Sequence, residues 1–165
     1  MFNFGFSFSM FLDGLRKNSM FMEKPERAVD RVFIHCSASD NPAHDDIEVI
    51  KQWHTDKRPV GRGFSDVGYH YFITKDGRLQ NGRSLEKQPA AQSGHNKGSL
   101  AICLHGLENF TEAQFKTLKL LCEKMYLVYE QKITFHGHNE VNRNKTCPVF
   151  DYKEVIGLDD SGHLK

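Results

Sequence analysis

At 165 residues the chain is long enough for one domain with a substantial core, and 39% hydrophobic and 26% charged residues are ordinary for a soluble globular protein. A formal net charge of +1 argues against strong non-specific attraction to nucleic acid or to an anionic wall; polyanion binding would need a local patch that total charge does not show. The cysteines at 36, 103, 122 and 147 do not form a disulfide-framework pattern, so a reducing place of synthesis is expected.

Residues 1–24 are unusual, with phenylalanine at 2, 4, 6 and 8 followed by Phe11, Leu12 and Leu15. They lack a basic start and a small-residue cleavage site, and Asp13 interrupts the apolar run, so they do not read as a secretory signal. They are also too short and interrupted to span a bilayer. We read residues 1–30 as an extension peripheral to the chemistry, packed on the domain or touching a membrane surface. A disordered leader, or a translation start at Met20 or Met22, are the competing readings.

Arg31 to Ser37 reads as a buried strand that delivers His35 to a sheet edge. NPAHDD is a loop, and Asp45 or Asp46 caps a helix over IEVIKQWHTDK with Ile47, Ile50 and Trp53 near one face. RPVGRGF is a turn. GYHYFITKDGRLQNGR reads as a β-hairpin turning at Lys75-Asp76-Gly77, and its alternation points Tyr69 and His70 in opposite directions. SLEKQPAAQSGHNKGS is a long polar loop, a candidate groove wall. LAICLHG is a buried strand. TEAQFKTLKLLCEKMYLVYE is the clearest helix, with a Thr111/Gln114 capping box and a core stripe at Phe115, Leu118, Cys122, Met125 and Tyr129. Ile133 to Phe135 begin the last strand, Asp151 caps a short helix over DYKEVIGL, and 159–165 is a loose tail. The order predicts a mixed α/β single domain: a central mixed β-sheet flanked by α-helices over 31–158.

The chemistry concentrates in FHGHNEVNRNKTCPVF, residues 135–150. His138 and Cys147 are good zinc ligands, and His35 is the best third candidate; three protein ligands with one open position is the pattern of a catalytic zinc. Two imidazoles and a thiolate suit zinc better than magnesium or calcium, which prefer oxygen. His136 competes with His138, since spacing does not separate them. Glu140 is a candidate base on chemistry alone; as a bystander it is an orienting partner or an exposed carboxylate.

HCSA at 35–38, WH at 53–54, DVGYHYFITKDG at 66–77, GR at 82–83, HN-x-x-S-x-x-x-C-L-x-G at 95–106, HNEV at 138–141 and K-x-CP at 145–148 occur in one order. This arrangement resembles the zinc-dependent N-acetylmuramoyl-L-alanine amidases, most closely the phage T7 lysozyme type, with peptidoglycan recognition proteins as more distant relatives. The resemblance runs from about Arg31 to Leu158. It implies one Zn²⁺ per chain on His35, His138 and Cys147; His138 is preferred to His136 because Asn139-Glu140-Val141 follows it. It implies Tyr69 and Lys145 as the non-ligand catalytic pair, and Trp53, His95 and Asn96 as substrate contacts. His70 is then structural. Relative to the T7 type, two residues are added near Arg143-Asn144.

The implied function is hydrolysis of the bond between N-acetylmuramic acid and L-alanine, by a compact phage-type endolysin or a bacterial or prophage amidase. Such an enzyme is made in the host cytoplasm without a cleavable signal and acts on peptidoglycan in the periplasm. The expected partner is the muropeptide stem, with a monomeric chain and no nucleic acid. Two other readings are a non-catalytic peptidoglycan-binding module and an amidase that also binds a phage RNA polymerase, as T7-type lysozymes do. Cys147, Tyr69 and Lys145 argue against the first, and no residue carries the second over.

Overall fold

The computed structural model describes residues 22–165. The Phe-rich stretch through residue 21, and the expectations attached to it, lie outside the described residues. Residues 22–30 lie against the domain: Arg27 donates to the Leu85 and Ser99 carbonyls, and Val29 packs on the main core.

Five strands form one sheet: β1 (Arg31–Cys36), β2 (Tyr71–Ile73), β3 (Leu79–Asn81), β4 (Ser99–Leu104) and β5 (Thr134–Gly137). Their order is β3-β2-β4-β1-β5. Only β2 and β3 run antiparallel; β2–β4, β4–β1 and β1–β5 are parallel. The sheet is therefore mixed and helix-flanked, as the element order implied. The apolar runs VFI and LAICL belong to β1 and β4, two of the three interior strands, which carry buried side chains on both faces, the usual reason for unbroken hydrophobicity in a parallel strand. β1 is thus an interior strand, and His35 is not at a sheet edge: it lies at the strand's carboxyl end, between β4 and β5.

The two faces bury different sets. Val32, Ile34, Tyr71, Ile73, Leu100, Ile102, Leu104 and Phe135 face the long helix α2 (Glu112–Val128) and the short C-terminal helix, with Leu118, Leu121, Cys122, Met125, Tyr152 and Ile156 completing that core. Phe72 and Cys103 face the other way, toward Ile47 and Ile50 of α1 (Ile47–Thr55) and Val67. This second layer is thinner and leaves room for a cleft beside α1.

Local signals account for the element ends. The Asp46 carboxylate accepts the Glu48 N–H at 2.9 Å and starts α1. Thr111 and Gln114 make both bonds of the capping box that starts α2. Gly77 has φ +83° in the hairpin turn, and a Cβ there would meet the Ala113 carbonyl oxygen at 2.8 Å, so the turn needs glycine twice over. Two expectations change. In α1 the inward positions are Ile47, Ile50 and His54, while Trp53 is 37% exposed; at 100° per residue the i, i+3, i+7 set runs through 54, not 53. The tail is tied down: the Gly162 carbonyl accepts the Phe135 N–H at 2.9 Å, Lys165 N–H bonds to the Gly157 carbonyl, and Leu158 pairs with Leu164.

Candidate metal centre and active-site cleft

β1 and β5 are parallel neighbours with Ile34 opposite Gly137. The residue after each, His35 and His138, therefore emerges at the same end of the sheet, the carboxyl end, where parallel sheets place their sites. His138 is the first residue of α3 (His138–Val141). The loop after α3 folds back across both strands: the Asn139 N–H bonds to the Cys147 carbonyl at 2.8 Å, and the Cys36 N–H donates to Cys147 Sγ at 3.2 Å. His35 is thereby gathered with His138 and Cys147 from more than 100 positions away, the three ligand atoms lying within 4.8 Å of one another. Cys147 Sγ lies 3.7 Å from His35 Nδ1. That separation is close to the spacing of two ligands of one tetrahedral ion, about 3.5 Å for Zn–S and Zn–N bonds of about 2.3 and 2.0 Å.

Each donor has a defined electrostatic setting. Burial, then the nearby His138, pushes the His35 pKa down to about 3, so the ring is neutral at pH 7. Burial and Lys145 lower that of His138. The hydrogen-bonded Cys36 thiol, then burial, push the Cys147 thiol up; a dication among the three donors acts in the opposite sense, favouring thiolate.

These residues form part of a cleft of about 970 Å³ that also has Tyr69, Lys145, Trp53 and Asn96 in its walls. The Tyr69 ring is 5.2 Å from that of His35 and 5.4 Å from that of His54. Its pKa is raised by burial and by surrounding thiols, which keeps the phenol protonated. Lys145 is exposed. Trp53 is held edge-on by the His44 ring at 4.5 Å. The Asn96 side-chain oxygen accepts the Ala91 and Gln92 N–H groups at 3.2 and 3.1 Å, so this residue clips the loop as well as lining the cleft. His95 is exposed and is not among the cleft-lining residues; it contributes its backbone N–H to the Gln92 carbonyl.

The remaining histidines and the candidate carboxylate separate cleanly. His70 is buried, accepts the Ala101 N–H on Nδ1 and donates to the Lys87 carbonyl from Nε2, which is structural work. His136 Nδ1 meets Glu140 Oε2 at 2.8 Å, and Glu140 also accepts from the Tyr152 hydroxyl. Both Glu140 oxygens are therefore engaged, and neither His136 nor Glu140 lines the cleft.

The sequence reading named His54 only as the second residue of the WH motif, and did not single out Arg62, Gln92, Val60, Leu107 or Val149. His54 Nδ1 accepts the Gly68 N–H at 2.9 Å, which steadies the turn before Tyr69. Val60, Leu107 and Val149 are exposed apolar residues on the cleft wall with Trp53. The WH pair was the one available signal for His54; the others sit in turns without periodicity.

Comparison with known proteins agrees with this architecture. The profile of the family described as N-acetylmuramoyl-L-alanine amidase matches residues 25–150. The endolysin of Escherichia phage T7 is 33% identical over 138 residues, 79% of this chain and 87% of that protein. The N-acetylmuramoyl-L-alanine amidase LysC of Clostridium intestinale superposes with a TM-score of 0.60 at 28% identity, covering 78% of this chain and 83% of that one. A Drosophila peptidoglycan recognition protein solved with tracheal cytotoxin shares the fold, with a TM-score of 0.64 at 22% identity over 87% of each chain. The profile spans β1 through the Cys147 loop, and both phage and bacterial enzymes align over most of their length: the chain belongs to the N-acetylmuramoyl-L-alanine amidase family.

Proposed function

We propose that this amidase cuts the bond between N-acetylmuramic acid and L-alanine of peptidoglycan as a phage-type endolysin, using one zinc ion held by His35, His138 and Cys147. The observation that carries the proposal is the meeting of two neutral imidazoles and a thiol, within 4.8 Å, in the wall of an open cleft. When bound, zinc supplies Lewis acidity toward an amide carbonyl and makes water acidic near neutral pH.

The chain's own groups supply the rest. The Tyr69 phenol, kept protonated by its buried setting, donates a hydrogen bond to the developing oxyanion. The Lys145 ammonium adds positive charge at the same rim and offers a proton to the departing amine. Trp53, Val60 and Leu107 give apolar wall to the stem peptide, while Asn96 holds the opposite loop in place. We place this action on the periplasmic wall after synthesis in the host cytoplasm, supported by the phage endolysin relatives.

Two measurements test the reading together. Protein purified without added zinc is expected to carry one zinc per chain, and digested peptidoglycan is expected to gain L-alanine amino termini without new reducing sugars. Full activity at near-zero zinc, or release of reducing sugars, overturns it.

A further inference from the structure

We propose that Gln92 is a positioning residue for the metal centre: its side-chain carbonyl holds the proton of His35 on Nε2 and so aims the Nδ1 lone pair at the space shared with His138 and Cys147. This rests on the zinc reading above.

A chain of hydrogen bonds links Ser99, Gln92 and His35, and its direction is determined at its far end. The Ser99 hydroxyl donates its one proton to the Asn96 carbonyl at 2.9 Å. Ser99 Oγ can then only accept from Gln92, and the Gln92 NH₂ group lies 2.8 Å from it. The amide cannot turn over without setting two acceptors against each other. Its oxygen Oε1 is therefore the atom that meets His35 Nε2 at 3.0 Å. A carbonyl oxygen only accepts, so Nε2 of the neutral ring carries the proton and Nδ1 is left with its lone pair. Nδ1 is the nitrogen 3.7 Å from Cys147 Sγ.

Three features make this a built arrangement. His35, Gln92 and Ser99 are all essentially fully buried, so water does not compete for these bonds. The Gln92 backbone is pinned by Asn96 Oδ1 on its N–H, and its carbonyl accepts from His95 N–H. Ser99 is the first residue of β4, so the relay is anchored in the same sheet that carries His35 on β1, opposite Cys103. Gln92 touches no reacting atom; it acts through His35.

Orienting partners of metal-bound histidines typically account for about 10–100-fold in metal affinity. Zinc affinity of the full chain, measured by competition with a chelator, is therefore expected to weaken about 10–100-fold in Gln92→Leu. It is expected to recover to within a few-fold in Gln92→Glu, whose carboxylate still accepts from Nε2 while the Ser99 hydroxyl turns its proton from the Asn96 carbonyl to the second carboxylate oxygen. In zinc-loaded wild-type protein, long-range ¹⁵N–¹H spectra are expected to show His35 metallated on Nδ1, with a slowly exchanging proton on Nε2. That spectrum needs no variant, so it decides the matter even if Gln92→Leu does not fold.

Metallation on Nε2 overturns the proposal. So does a folded Gln92→Leu protein with wild-type zinc affinity, or an equal loss in Gln92→Leu and Gln92→Glu. None of these readouts uses substrate. A chain that binds zinc through Nδ1 yet fails to cut peptidoglycan refutes the assigned reaction and leaves Gln92 in its role; a chain that binds no zinc refutes both.

Discussion

Cys147 and Cys122 are the same thiol in different surroundings. Cys122 is fully buried on α2 among the apolar side chains of the main core, and Cys103 is buried on β4 in the thinner layer; neither is a member of the donor cluster. Cys147→Ser is expected to lose zinc and activity together. Cys103→Ser and Cys122→Ser should keep both and lose about 1–3 kcal/mol of stability by burying a hydroxyl, read by metal analysis beside urea unfolding. Equal zinc loss at all three positions would refute the thiolate assignment. Tyr69→Phe and Lys145→Ala should keep zinc and lose about 10²–10³ in rate, as removal of an oxyanion donor does, mainly in kcat. Glu140→Gln should do less, since Tyr152 and His136 already occupy that carboxylate. An inactive, zinc-loaded Glu140→Gln beside active Tyr69 and Lys145 variants would reverse the roles. At this scale the three clustered donors were legible because imidazole, imidazole and thiol in an ordered motif set have few other uses. Gln92 was not legible: a glutamine in a polar loop has no spacing that announces a partner 57 positions away.

The elements around the cleft are held by capping and by one carboxylate. Asp40, beyond the end of β1, accepts the N–H groups of Leu107, Glu108 and Asn109 and pairs with Lys75 at 3.2 Å. It thus joins the loop after β1 to the loop after β4, which brings Leu107 to the cleft wall. The Leu107 and Glu108 N–H groups, chiefly, hold the Asp40 carboxyl well below the usual carboxylate range. The folded state therefore prefers the ionised form more than the unfolded chain does. The resulting stability is present above the unfolded pKa of about 4 and is lost as pH falls below it. Asp40→Asn is expected to be less stable than wild type at pH 6, with the gap narrowing by pH 3; urea midpoints at the two pH values check this, and a constant gap contradicts it. Capping boxes and hairpin turns were legible because their partners lie within four residues. The pinned tail was not, because its holds, from the distant Phe135 and from Gly157 and Leu158 nearby, are all backbone bonds that no side-chain pattern announces.

For the whole molecule, pH acts through histidines buried as neutral rings. Burial is the leading cause that lowers both His54 and His70 to about 4. As pH falls through the ordinary histidine value near 6.5, the unfolded chain takes up protons that the folded one refuses until about pH 4. Stability is therefore full above about 6.5 and falls between there and about 4. Unfolding midpoints are expected to drop between pH 7 and 5, before most carboxylates titrate; a flat profile over that range would show that these rings charge freely in the fold. The parallel β1–β5 pairing and the folded-back Cys147 loop also carry a consequence for the order of events at the ribosome. The thiol lies 112 positions after the first imidazole. A nascent chain can offer His35, and much later His138, but not the full donor set until translation has passed Cys147. On the zinc reading proposed above, every unfinished copy is a chain without its cutting chemistry, and peptidoglycan meets that chemistry only from molecules whose sheet has closed.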